Sequence, residues 1–253
     1  MTLYASAKRL GERYLSPDTR EQLRRRYRAI RASLYSDDLR VLATIYGSDK
    51  WNTHWYAQHY EHHFRPLRHR PVNLLEIGVG GYDNPTAGGA SLRMWKRFFP
   101  RGHIYGVDVY DKSALQESRI TIFRGSQRDP AFLRATAATI GRLDIVVDDG
   151  SHRSEDVITA FETLFPLLAD GGIYAIEDTQ TSYWPEYGGQ IDPRAEGTTM
   201  SRLKLLVDGL NYVEFLDPSY AATEFDRRVT SVHFYHNLAI IYKGANAEES
   251  YRP

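Results

Sequence analysis

From Val72 onward the chain repeats one unit, in which a short apolar run is followed by a stretch with helical spacing and then by another apolar run. The apolar runs are VNLLEIG (72–78), HIYGVDV (103–109), ITIFRG (120–125), LDIVVDD (143–149) and GIYAIED (172–178). The helical stretches are SLRMWKRFF (91–99) and segments near 130–140 and 154–169. Such a βαβ series predicts a mostly parallel sheet with helices on both faces. VTSVHFYHNLAIIYKG (229–244) holds two further apolar runs about His236-Asn237, which read as an antiparallel hairpin and bring the sheet to seven strands. Between them, 181–228 reads as a loop with a helix near 200–210. Upstream, Leu23, Tyr27, Ile30, Leu34, Leu39, Leu42 and Ile45 recur at helical spacing and predict two amphipathic helices. This divides the chain into a helical lead, 1–45, and an α/β domain, 46–253.

Composition removes several function classes. The 32 Lys+Arg residues balance 32 Asp+Glu, so no overall field favours nucleic acid or an anionic membrane. The cluster Arg24, Arg25, Arg26, Arg28 and Arg31 reads as a solvated helix face or a subunit contact, ahead of an RNA contact. No apolar run nears the roughly 20 residues that span a bilayer, and MTLYASAKRLGERYL lacks the apolar stretch of a signal peptide. A cytoplasmic location is expected. There is no cysteine, which excludes disulfides, thiolate metal sites and cysteine nucleophiles.

The loop after the first strand, LLEIGVGGYDNP, places Gly78, Gly80 and Gly81 where a ligand can approach the backbone. Asp83 stands where a dinucleotide fingerprint needs its third glycine, and the loop runs on through Pro85, Gly88 and Gly89. Pyrophosphate is therefore a poor fit. Glu76 can hold a ligand ammonium or orient the loop, and Asp108, ending the second strand, can accept both hydroxyls of a ribose. A cationic, phosphate-free adenosine ligand suits that pair, namely S-adenosyl-L-methionine. Ser126-Gln127 follows the third strand, where an amide can meet the adenine edge.

In an open parallel sheet, ligands bind beyond the carboxyl ends of the strands. IVVDDGSH ends the fourth strand and AIEDTQTSYW the fifth, so Asp149, Glu177 and Asp178 converge if those strands are neighbours. Three carboxylates cannot share a site uncompensated. A divalent cation removes the conflict, and hard oxygen ligands favour Mg²⁺ over Mn²⁺ or Ca²⁺. Alternatively, Asp149 caps the next helix or turn and Glu177-Asp178 pair with arginines. His152, on the turn leaving the site, is either structural or a general base. A sugar hydroxyl is a weak acid whose attack on a methyl group needs both a base and Lewis-acid help.

LEIGVGGYDNP, GGASLRMWKRFFP, GVDVYDK, VVDDGSH and IEDTQTSYWPEYGG together resemble the metal-dependent sugar O-methyltransferases of antibiotic biosynthesis, including the mycinamicin, macrocin and rhamnosyl types. The resemblance covers about 40–244. It implies a Rossmann-like class I methyltransferase fold, with 46–253 as the methyltransferase domain. It also implies Asp149, Glu177 and Asp178 as Mg²⁺ ligands and His152 as the base. Cofactor contacts follow for Glu76, Gly78, Gly80, Gly81, Tyr82, Ser91, Asp108, Ser126 and Gln127, while Asp148 holds the methionine end or only orients its turn. YGSDK (46–50) and HWYAQHYEHHF (54–64) resemble an element that folds over the cofactor, or else form a packed aromatic helix. Tyr183 and Trp184 either pack on a sugar face or cover the core or a subunit contact.

The expected activity is methyl transfer from S-adenosyl-L-methionine to a hydroxyl of a rhamnose-like deoxysugar on a polyketide or macrolide. A phenol or catechol acceptor is the alternative within enzymes, and a non-catalytic RNA- or protein-binding module the alternative outside them. The expected partner is a small glycosylated polyketide, with no nucleic acid or membrane, and the chain is expected to form a homo-oligomer.

Overall fold

The computed structural model describes residues 16–250. The opening stretch and the signal-peptide question it raised lie outside the described residues, as do the side chains of Arg24 and Arg25.

Two helices lead the described chain. α1 (Pro17–Leu34) starts at Ser16, whose hydroxyl accepts from the Thr19 amide, with proline in its first turn. α2 (Leu39–Tyr46) starts at Asp38, which accepts from the Arg40 and Val41 amides, and stops at Gly47. α3 (Ala57–Phe64) follows. The α/β series then runs β1 (Asn73–Ile77), α4 (Ala90–Phe98), β2 (His103–Asp108), β3 (Ile120–Arg124), α5 (Pro130–Ile140), β4 (Leu143–Asp148), α6 (Ser154–Leu164) and β5 (Leu168–Glu177). α7 (Thr199–Gly209), α8 (Glu224–Arg228), β6 (Val229–Tyr235) and β7 (Leu238–Lys243) complete it.

The strands form one seven-stranded sheet in the order β3-β2-β1-β4-β5-β7-β6. β1 to β5 pair in parallel and β7 pairs antiparallel with both β5 and β6, as the βαβ series and the hairpin required. Two adjoining boundaries differ from the sequence expectation, the end of α6 and the start of β5, which lies at Leu168 and not 172. The helix expected to reach 169 ends at Leu164, because Pro166 removes a donor and leaves a single 3-10 turn before β5 begins.

Strand side chains alternate between two packed layers. Leu74, Ile104, Ile145, Val147, Ile173 and Ile240 face α2, α3 and α4. Leu75, Val107, Val146, Tyr174, Ile176 and Ile241 face α5, α6 and α7. Leu39, Leu42 and Ala43 are buried in the first layer beside Trp95 and Phe98, so α2 shares the sheet's core. α1 behaves differently. Leu23, Tyr27, Ile30 and Leu34 are exposed, and of this helix's hydrophobic residues described as buried there is Ala32. No helix among the described residues is long and apolar enough to cross a membrane.

Candidate active site

Strand order reverses between β1 and β4, which opens a crevice at the carboxyl ends of the parallel strands. A cavity of about 710 Å³ fills it. Gly78, Gly80, Gly81, Tyr82, Ser91, Asp108, Ser126 and Gln127 line this cavity, together with Asp149 and His152. Gly78, at φ +92, carries the first loop across the fourth. A Cβ there would lie 2.0 Å from the Asp149 carbonyl oxygen. The Asp149 amide in turn donates to Ile77 at 3.0 Å, which ties the two loops together.

Asp108 accepts from the Val79 amide at 3.0 Å and from the Tyr110 amide at 2.9 Å, one to each carboxylate oxygen. Backbone groups thus fix this carboxylate at the cavity wall. Gln127 accepts from the Ser151 amide at 2.8 Å and donates to Asp148 at 3.4 Å. Its amide therefore knits the third loop to the IVVDDGSH turn.

Glu76 and Asp148 lie behind the wall. Asp148 is buried with the Tyr174 hydroxyl 3.5 Å away, and burial pushes its carboxyl up to about 7. Glu76 accepts from Ser91 at 2.8 Å and from the Trp95 indole at 3.2 Å through Oε2. Burial pushes it up to about 7 as well, against the pull of a lysine ammonium.

That ammonium belongs to Lys50, which sequence reasoning assigned no role of its own. It is fully buried, with Nζ 2.6 Å from Asp149 Oδ2, 2.8 Å from Glu177 Oε1 and 3.2 Å from Glu76 Oε1. The first is a hydrogen bond, and the other two are ion pairs without hydrogen-bond alignment. Burial alone would lower the Lys50 pKa, but Asp149, Glu177 and Glu76 hold it well above its ordinary value. Glu177 is also raised, pushed well above the usual carboxylate range by burial and then by Asp149.

Two tyrosines complete this shell. Tyr60 donates to Glu177 Oε1 at 2.6 Å, and Tyr56 donates to Asp178 Oδ1 at 2.7 Å. Burial acts to raise the Asp178 pKa, but the Tyr56 hydrogen bond and the nearby His152 hold it below the usual carboxylate range. His152 Nε2 stands 3.6 Å from Asp178 Oδ2 and His54 Nδ1 is 3.8 Å from Oδ1. Both His152, at φ 57, and Asp178, at φ 52, occupy the left-handed region. Strain of that kind persists where surrounding structure enforces it, often at functional sites.

Asp149, His152 and Asp178 each present a ligating atom within 4.8 Å of the others. Glu177 stands outside that group, one ammonium away from Asp149. The carboxylate oxygens of Asp149 and Asp178 suit a hard divalent cation, and the His152 imidazole stands beside them. Among the described residues, neither the capping nor the arginine-pairing alternative is seen. The residue at the N-cap of α6 is Arg153, and Glu177 pairs with lysine.

Tyr183 and Trp184 are exposed on the turns after β5 and do not line the cavity. Tyr187, a few residues on, does, with its ring centroid 6.0 Å from that of Trp184. Ser48 and Asp49 also reach the cavity, so YGSDK does fold against it. That segment carried a signal; Tyr110, Arg128 and Tyr187 carried none beyond their loops.

A family model described as a methyltransferase domain matches residues 2–179. The 8-demethyl-8-alpha-L-rhamnosyl tetracenomycin-C 2'-O-methyltransferase of Streptomyces olivaceus is 54% identical over 209 residues, which is 81% of this chain and 54% of the relative. The mycinamicin VI 2''-O-methyltransferase of Micromonospora griseorubida is 48% identical over 214 residues, 83% of this chain and 54% of that one. Among solved structures, MycE methyltransferase of the mycinamycin pathway in complex with Mg, SAH and mycinamycin VI superposes with a TM-score of 0.81 at 47% identity. The match covers 84% of this chain and 55% of that one. The chain spans about half the length of the curated relatives it matches. These relatives agree with the resemblance to sugar O-methyltransferases read in the motifs. With its seven-stranded sheet, its crevice at the strand ends and the family match over 2–179, the chain belongs to the methyltransferase domain family.

Proposed function

We propose that the chain carries a metal-dependent O-methyltransferase activity that moves the methyl group of S-adenosyl-L-methionine to a hydroxyl of a rhamnose-like deoxysugar on a polyketide or macrolide. The observation that carries this is the convergence of Asp149, His152 and Asp178 beside a cavity walled by the glycine loop and Asp108. The sugar and the aglycone class rest on what the relatives are named for. The acceptor is a small molecule, not a nucleic acid or a membrane.

Asp108 accepts the ribose hydroxyls, Ser126 and Gln127 meet the base, and Gly78 to Tyr82 with Ser91 follow the methionine portion. Glu76 and Asp148 support this wall from behind. Asp149, Glu177 and Asp178 would hold Mg²⁺. When bound, that ion supplies Lewis-acid help in ionising the acceptor hydroxyl. His152 takes the hydroxyl proton at Nε2, and Asp178 steadies the resulting imidazolium. The freed oxygen lone pair forms the O–CH₃ bond as the C–S bond breaks, leaving S-adenosylhomocysteine. Tyr183 and Trp184 stand in the loop that would meet the sugar face, with Tyr187 nearer the cavity.

Methyl transfer from labelled cofactor to a rhamnosylated polyketide and to its aglycone, with EDTA and then with added Mg²⁺, tests the proposal. Methylation of the glycoside alone, lost with EDTA and restored by Mg²⁺, is expected, with His152→Ala losing most turnover. Turnover indifferent to EDTA removes the metal, and methylation of the aglycone moves the acceptor to a phenol.

A further inference from the structure

We infer that residues 50–60 form an orienting bracket for the divalent-cation site, in which Lys50, Tyr56 and Tyr60 act as positioning residues. The inference rests on the cation proposal above and deepens it. Each of the three carboxylates has one oxygen engaged by this segment. Lys50 takes Asp149 Oδ2, Lys50 and Tyr60 both take Glu177 Oε1, and Tyr56 takes Asp178 Oδ1. The segment leaves the second oxygen of each carboxylate uncontacted; Asp178 Oδ2 stands 3.6 Å from His152 Nε2, and Glu177 lies just outside the group formed by Asp149, His152 and Asp178.

Geometry explains how one short segment reaches all three. Tyr56 and Tyr60 are four residues apart at the start of α3, so their side chains share one face of the helix. Both are buried. Glu177 and Asp178 are consecutive, and in a regular strand they would point to opposite faces. At φ 52, Asp178 leaves the strand alternation, and both carboxylates meet the same helix. Buried phenols need an acceptor, and any buried acceptor would satisfy them. Here the acceptors are two of the three carboxylates the cation needs, and the third is held by Lys50 from the same segment. Groups that hold a ligand's far side fix its direction, and losing one typically costs 10–100-fold in metal affinity or activity.

Tyr56→Phe and Tyr60→Phe keep the rings, including the packing of Tyr60 against Phe64 and Trp95, and remove only the hydroxyls. Mn²⁺ affinity of the full chain is read by electron paramagnetic resonance titration, and S-adenosylhomocysteine affinity by calorimetry. Each single variant should weaken Mn²⁺ binding roughly 10-fold and the double variant roughly 100-fold, with S-adenosylhomocysteine affinity unchanged. Equal loss of both ligands would assign the tyrosines to packing alone and overturn the bracket. A double variant within about twofold of wild type for Mn²⁺ would overturn it too, while leaving the cation proposal standing. If the wild-type chain binds no Mn²⁺, bracket and cation proposal fall together.

Discussion

The crevice has two halves, and they are built in different ways. Its glycine-loop half rests on backbone: glycines in the first loop, amides of Val79 and Tyr110 on Asp108, and a glutamine tied to the Ser151 amide. Its carboxylate half rests on side chains from a distant segment, since Lys50, Tyr56 and Tyr60 precede the acids they hold by about a hundred residues or more. A half made of loop backbone is as stable as the strand ends beneath it. The other half depends on α3 staying docked, and should fail separately.

The largest break in that comparison comes from Lys50→Met. Its ammonium is the cation shared by Glu76, Asp149 and Glu177, and removing it leaves three carboxylates facing one another. Taking one partner from a buried ionic cluster costs about 3–5 kcal/mol, and that loss is expected in urea unfolding at neutral pH. The deficit should narrow as pH falls. Burial has already raised Glu76 to about 7 and pushed Glu177 well up, so protons can replace the missing charge. A loss below roughly 1 kcal/mol would mean the cluster contributes little and the two halves are alike.

Asp108→Asn probes the other half and should act more narrowly. The substitution keeps an acceptor for one backbone amide but turns an NH₂ toward the second and removes the charge proposed to face the ribose. We expect S-adenosylhomocysteine affinity to drop about 10-fold, on the order of 1.4 kcal/mol. Mn²⁺ affinity should stay at the wild-type level. If Mn²⁺ binding falls in parallel, the halves are coupled and the contrast between them is wrong.

Legibility in the sequence follows the same division. Each of the seven strands was readable as an apolar run, and β1 to β5 end within a residue or so of the expected positions, since chain-local patterning decides them. The cavity wall was readable because strand ends of a parallel sheet converge by rule, so Gly78, Asp108 and Gln127 needed only their place after a strand to line it. Lys50 was not. A lysine followed by tryptophan in a polar stretch looks like surface, and only the docking of α2 and α3 onto the sheet carries it inside. Tyr56 and Tyr60 were readable as packed aromatics but not as donors to Asp178 and Glu177. The reverse occurred in α1, whose apolar stripe was legible as amphipathic yet lies exposed, with Leu34 at 73%. Helical spacing says which residues share a face; it does not say what covers that face.

The smallest expected effect tests whether α3 is the weak seam of the carboxylate half. One turn beyond Tyr60, His63 is buried between the hydroxyls of Tyr242 and Tyr235, each 2.8 Å from a ring nitrogen, with the His233 ring 4.7 Å away. His59 stacks on Tyr235 and His62 packs edge-on against His63, so three further imidazoles face the same seam. Burial first, and then the charges on His233, His62 and His59, lower His63 to about 4. A histidine lowered on folding favours the neutral form. Its contribution is complete above its free value of about 6.5 and is lost as pH falls from there through about 4. Thermal midpoints of the wild type and His63→Gln should therefore converge as pH is lowered across that window, because the variant has no such group to lose. The wild-type decline due to this residue should be on the order of 2 °C near pH 6. Parallel curves for the two proteins would show that the seam holding α3 to the β6–β7 hairpin does not feel the proton, and that acid reaches the carboxylate half by another route.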